Sequence, residues 1–146
     1  IKNDCEQYIL DEILPTLERY RPDTTPDNIT YLRDDEIFVF GSNKEGNHAG
    51  GAARTAVDLF GAIEGQGEGL QGQSYAIPTM GTDKEMKAAI KRFVKYAKET
   101  PDKYYYMTKI GTGIAGRAPS KVQAMFPKRL PKNIIMPEWD DNHDSK

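Results

Sequence analysis

The stretch FGSNKEGNHAGGAA, Phe40–Ala53, carries four glycines, two asparagines and a histidine, and it directly follows the apolar run that ends at Phe40. The run IFVF, Ile37–Phe40, is continuous rather than alternating, so it reads as a strand buried on both faces. Beyond the loop, Ala52, Ala53, Ala56, Val57 and Phe60 recur at helical spacing, and Gly61 stands where a C-terminal glycine cap belongs. The unit is therefore a strand, a loop of bare backbone and a helix.

The same alternation continues outward. SYAIPT, Ser74–Thr79, reads as a strand with Pro78 near its end. Thr82 and Glu85 have capping-box spacing, and Met86, Ala89, Ile90, Phe93, Val94 and Ala97 form the buried stripe of a helix reaching Glu99. KYYYMTKI, Lys103–Ile110, reads as the next strand. It is followed by GTGIAGRAP, a short helix over Ser120–Phe126 and a last strand near Asn133–Met136. A further short strand is expected at Ile29–Leu32. Alternating strands and helices build a largely parallel sheet covered on both faces, so the expected fold class is an α/β three-layer α/β/α sandwich.

At 146 residues and 38% hydrophobic, the chain suffices for one core but not comfortably for two. The expected organisation is a helical segment and connector over 1–28, the α/β domain over 29–138 and a disordered tail over 139–146. In the first segment Ile9, Leu10, Ile13, Leu14 and Leu17 have helical spacing, interrupted by Pro15.

Twenty basic and 22 acidic residues balance to a net charge of −2, which predicts no general field for nucleic acid or an anionic membrane. Any bound anion must be held locally. The single cysteine, Cys5, excludes an internal disulfide framework and fits a reducing compartment. IKNDCEQ is too polar for a signal peptide, so a cytoplasmic location and no membrane partner are expected. A monomer is expected.

Strand-following loops gather at the carboxyl edge of such a sheet, where ligands bind. Gly41–Gly51 and Gly111–Gly116 both follow strands. Glycine lets backbone N–H groups converge on a ligand, and a helix N-terminus adds partial positive charge, which together suit phosphate. Gly50, Gly51 and Ala52 are the candidates on one side, and Gly111, Thr112, Gly113, Ile114, Ala115 and Gly116 on the other. Gly41, Ser42 and Asn43 complete the first loop. GTGIAG matches the dinucleotide fingerprint G-x-G-x-x-G, yet Arg117, Ala118 and Pro119 separate it from any helix, and too little chain remains for the second half of a Rossmann unit. GQGEGLQGQ, Gly65–Gln73, reads as a lid or a long connection supplying Gln66, Gln71 and Gln73 as amide donors. His48 is either a solvated loop histidine or a ligand-facing base. Without a second histidine or a cysteine beside it, no metal site is expected, and no cofactor is indicated.

These residues resemble a macrodomain, the ADP-ribose-binding module, over most of Ile37–Met136. IFVFGSN is similar to that family's strand and terminal asparagine, HAGGAARTAVDLFG to its glycine-rich loop and following helix, and IGTGIAG to the loop that wraps the diphosphate. SYAIPT is similar to the strand between them. The resemblance implies ADP-ribose or an ADP-ribosylated macromolecule as partner, with Asn43 on the distal ribose. DNIT, Asp27–Thr30, resembles the family's G-D-I-T and implies Asp27 or Asn28 near the adenine.

The chain departs from the family's catalytic branches. No aspartate lies in HAGGAAR, no lysine follows on ARTAVDLF, and Ala115 stands where an acid would be. Binding is therefore expected ahead of catalysis. An ADP-ribosyl hydrolase acting on protein, nucleic acid or O-acetyl-ADP-ribose would have to rely on Asn43 and His48. A non-nucleotide interaction domain, with purely structural glycines, is the third reading.

Overall fold

The computed structural model describes residues 21–48 and 50–139. The helix expected in the first 20 residues, Cys5 and the expected tail beyond Trp139 lie outside them.

The described chain forms a small α/β fold with three helices and a five-stranded, mostly parallel sheet. In chain order the elements are β1 (Glu36–Ser42), α1 (Gly51–Phe60), β2 (Gly69–Gln71), β3 (Ser74–Pro78), α2 (Asp83–Glu99), β4 (Tyr104–Met107), α3 (Pro119–Gln123) and β5 (Ile134–Ile135). The spatial order is β2-β3-β1-β4-β5. β1 pairs in parallel with β3 and β4, β4 in parallel with β5, and β2 runs antiparallel to β3.

β1 suits the centre of the sheet because six of its seven residues are buried and Ile37–Phe40 are apolar without a break. Its side chains alternate between two cores. Ile37 and Val39 join Met86, Ile90, Phe93 and Val94 of α2, together with Val122 of α3. Phe38 and Phe40 join Ala53, Ala56 and Phe60 of α1 on the other face. All six residues of the expected α2 stripe are buried, and Phe93 packs edge-on against Tyr75 and Tyr105. Fully burying a side chain of this size contributes roughly 1.5–3 kcal/mol.

The helix boundaries follow from local chemistry. Thr82 and Glu85 make the full capping box at the start of α2. α1 ends at Gly61, whose φ of 77° is the left-handed cap conformation, with its N–H bonded to the Ala56 carbonyl.

Two expectations are corrected. Ile29–Leu32 is not a strand; Leu32 is buried, but the segment makes no ladder and belongs to the connector before β1. Gly65–Gln73 is neither a lid nor a plain connection, because it contains β2. Its glutamines are spent internally. The Gln71 side chain donates to the Gln66 and Gly69 carbonyls and accepts from the Ile63 N–H, and the Gln66 amide donates to the Glu68 and Leu70 carbonyls. Gln73 ties the sheet edge to the Arg33 and Glu36 carbonyls.

Candidate functional site

β1, β3 and β4 are parallel, so the loops that leave them converge at one edge of the sheet. Gly41 marks the meeting point: a Cβ there would lie 3.3 Å from Thr79 of the loop after β3 and 3.5 Å from the Gly111 nitrogen after β4. Ser42 is buried beside it, its carbonyl accepting from the Thr79 N–H and hydroxyl.

The loop after β4 is a closed ring. The Arg117 N–H bonds the Gly111 carbonyl at 2.9 Å and the Gly116 N–H bonds the Gly113 carbonyl at 2.9 Å. The Arg117 guanidinium then clamps this ring to the loop after β3, donating to the Thr79 carbonyl, to the Gly81 carbonyl and to Asp83 at 2.9 Å. Lys121 and Arg117 together hold the Asp83 carboxyl below its ordinary range. Gly111 and Gly116 both have φ of 73°, which glycine alone adopts readily, and a Cβ on Gly111 would also strike Met86. These two glycines are needed by the loop itself. Between them, the N–H groups of Gly113, Ile114 and Ala115 have no acceptor among the described residues, and the Ile114 side chain is 93% exposed at the tip.

The loop after β1 opens into α1. Gly50 is its N-cap, with no side-chain hydrogen bond and no acidic residue in the first turn. α2, by contrast, closes its own N-terminus with Thr82, Asp83 and Glu85. Among the described residues the partial positive charge at the start of α1 is thus left uncompensated.

A crevice of about 700 Å³ lies between α1, the connector and the loop after β4. Gly51, Ala52, Thr108, Lys109 and Thr112 bring polar groups and bare backbone to its lining, and Pro26, Ile29, Phe38, Leu59 and Pro137 bring apolar surface. Asp27, Asn28 and Thr30 also line it. The connector is fixed there by Thr25, whose N–H and hydroxyl donate to the carbonyls of Met136 and Ile135 at 3.0 Å each. Thr108 is held by Val39, its hydroxyl donating to that carbonyl at 2.7 Å.

Of the residues singled out from sequence, Gly51, Ala52 and Thr112 line this crevice, as do Asp27 and Asn28. Gly41, Ser42 and Gly111 lie where the loops meet, and neither they nor Gly50, Gly113, Ile114, Ala115 and Gly116 are among the lining residues. Asn43 directs its Oδ1 to the Asn47 N–H at 2.9 Å, stabilising its own turn. His48 is fully buried, packed edge-on against Phe40 at 5.1 Å, and its Nε2 lies 3.1 Å from the Gln66 carbonyl. Its Nδ1 has no hydrogen-bond partner. It is not a solvated loop histidine, and it does not line the crevice.

Sequence reasoning passed over Lys109. It is half-buried in the crevice wall and has no ion-pair partner among the described residues. Its position two residues before GTGIAG, after a strand, was the available signal. No group of three or more metal-ligating side chains occurs among the described residues, and no described helix is long and apolar enough to cross a membrane.

No protein-family model, curated protein or solved structure matches the chain. Its functional reading rests on this geometry and on the residues themselves.

Proposed function

We propose that the crevice binds ADP-ribose or a closely related pyrophosphate nucleotide, as a macrodomain-like module would. The observation that carries this reading is the pair Gly50 and Gly113. Neither has a positive φ, and a Cβ on either would meet nothing within 4 Å. The chain's own conformation does not require glycine at these places. Neither is itself a lining residue of the crevice, but each adjoins one in the chain, Gly51 and Thr112, and a ligand pressed against the backbone there accounts for both.

The lining fits the same chemistry. Backbone donors, the N-terminus of α1 and Lys109 suit a diphosphate, while the apolar lining residues with Asp27 and Asn28 suit a base. About 700 Å³ lies within the range of small-ligand pockets. Among the described residues Asp27 is the one carboxylate in the lining and His48 is outside it, so binding stands ahead of hydrolysis.

Titration calorimetry with ADP-ribose is the test, with AMP as the ligand lacking a second phosphate and ribose. ADP-ribose is expected to bind and AMP to bind much more weakly. At 100 times its Kd, ADP-ribose adds roughly 2.7 kcal/mol of stability. That raises Tm by about 5–10 °C for a domain of this size. No heat and no thermal shift at millimolar ADP-ribose would remove this reading.

A further inference from the structure

The outer face of α2 is a single-sign track. An α-helix turns by about 100° per residue, which puts Lys84, Lys87, Lys91, Lys95 and Lys98 within about 80° of arc and along about 21 Å of axis. All five are exposed. No acidic residue of α2 falls in that arc, and the acids around it are engaged elsewhere. Glu85 pairs with Lys44 at 2.6 Å, Asp83 with Arg117 and Lys121, and Glu68 with Arg92 at 2.6 Å. Glu99 reaches only Lys95, at 3.8 Å. Among the described residues Lys84, Lys87, Lys91 and Lys98 form no ion pair.

Helix stability does not account for this arrangement. Like charges three and four residues apart destabilise a helix by a few tenths of a kcal/mol per pair. Lys84 also sits in the first turn, where the helix dipole disfavours a cation. α2 takes its stability from the buried stripe and the capping box, which leave the outer face unconstrained.

We propose that this lysine track binds the phosphate backbone of duplex nucleic acid without reading its sequence. A regular row of cations, one turn apart, complements a rigid, periodic polyanion. A membrane surface fits less well, because the apolar face of α2 is buried against the sheet and has nothing to insert. A single strand fits less well too. The arc carries no exposed aromatic ring on which bases could stack, and Tyr96 is packed against Tyr75 and Tyr105. Net charge conceals the track, since the acids that balance it lie outside its arc. The inference is independent of the crevice, which lies on the opposite face of the sheet.

Fluorescence anisotropy with a short labelled DNA duplex tests it on the full chain. In about 50 mM salt the duplex is expected to bind with Kd of about 10⁻⁶–10⁻⁴ M. If about four phosphates are engaged, affinity falls roughly a hundredfold by about 200 mM salt. The triple variant Lys87→Glu, Lys91→Glu, Lys95→Glu should lose at least roughly tenfold in affinity, while Lys→Arg at the same three positions should retain it. Arg54→Glu, on α1 across the sheet from the track, should bind as the parent does, while its charge-matched counterpart Lys91→Glu should already weaken binding. Melting curves confirm that each variant folds. Equal losses from Lys91→Glu and Arg54→Glu, or no binding at low salt, overturn the proposal. Binding to phosphatidylserine vesicles without binding to duplex replaces it with a membrane surface.

Discussion

Gly46 and Gly67 differ from Gly50 and Gly113 in everything but residue type. The first pair joins two loops back to back. A Cβ on Gly46 would run into the backbone of Gly65 and Gln66, and one on Gly67 into the Asn43 carbonyl, with the Lys44 carbonyl oxygen 2.7 Å away. The second pair faces open space. One glycine-rich reading from sequence therefore covers two physical causes: close approach of backbone to backbone, and backbone left bare toward the outside. Only the second bears on a ligand.

The difference can be broken first at the packed end, where the largest effect is expected. In Gly67→Ala the added methyl meets backbone atoms, which cannot rotate away as a side-chain tip would. Overpacking of this kind costs about 1–3 kcal/mol. The upper end is expected here, so thermal unfolding should show Tm lowered by about 6–12 °C. A variant melting with the parent would mean that the two loops are not seated on each other. The buried His48 ring lies in this seam, between Phe40 and the Gln66 carbonyl, so its role here is packing.

The open end should respond in the opposite way. Gly113→Ala introduces a residue at a compatible backbone position, which shortens the list of unfolded conformations and stabilises by about 0.4–1 kcal/mol. Gly113→Glu places a carboxylate where the proposed diphosphate lies and should weaken ADP-ribose at least about tenfold, or 1.4 kcal/mol, at nearly unchanged Tm. Calorimetry and melting together read this reversal. A Gly113→Glu protein that folds and binds ADP-ribose with parental affinity removes the loop after β4 from the site.

This division also marks what the sequence could reveal. α1, α2 and the central strands were legible because their signals are local: a 3.6-residue apolar period, a capping box, a glycine after the last helical residue. β2 was not, since GLQ has no strand character of its own and pairs only because β3 offers an edge. Ile29–Leu32 has the composition of a strand, yet Thr25 anchors the connector against β5 and the chain passes without joining the sheet. In the site, the converging loops followed from strand order. The burial of His48 and the clamp made by Arg117 depend on contacts across 18 and 36 residues, the entry of Lys109 into the crevice depends on segments as remote as the connector, and no local pattern encodes them.

The smallest effect belongs to the tether between the packed loops and α2. The Lys44 ammonium lies 2.6 Å from Glu85, and that bond, with the capping bonds to Thr82, brings the Glu85 carboxyl down to about 2. A depressed carboxyl favours the folded state above its unfolded value, which is about 4.3, and loses that contribution as pH falls through the folded value. Parent protein should therefore lose stability between about pH 4.5 and 2 more steeply than Glu85→Gln, which has no carboxyl to protonate at this position. Both partners are exposed, so salt screens the pair and the difference at neutral pH is modest. ADP-ribose affinity should be the same in both proteins, because neither Lys44 nor Glu85 lines the crevice. Denaturant titrations across that pH range measure the gap between the two curves. Superimposable curves would show that the ion pair does not couple the loops to the helix, and a loss of ADP-ribose binding in Glu85→Gln would show that the packed and open regions are not separable.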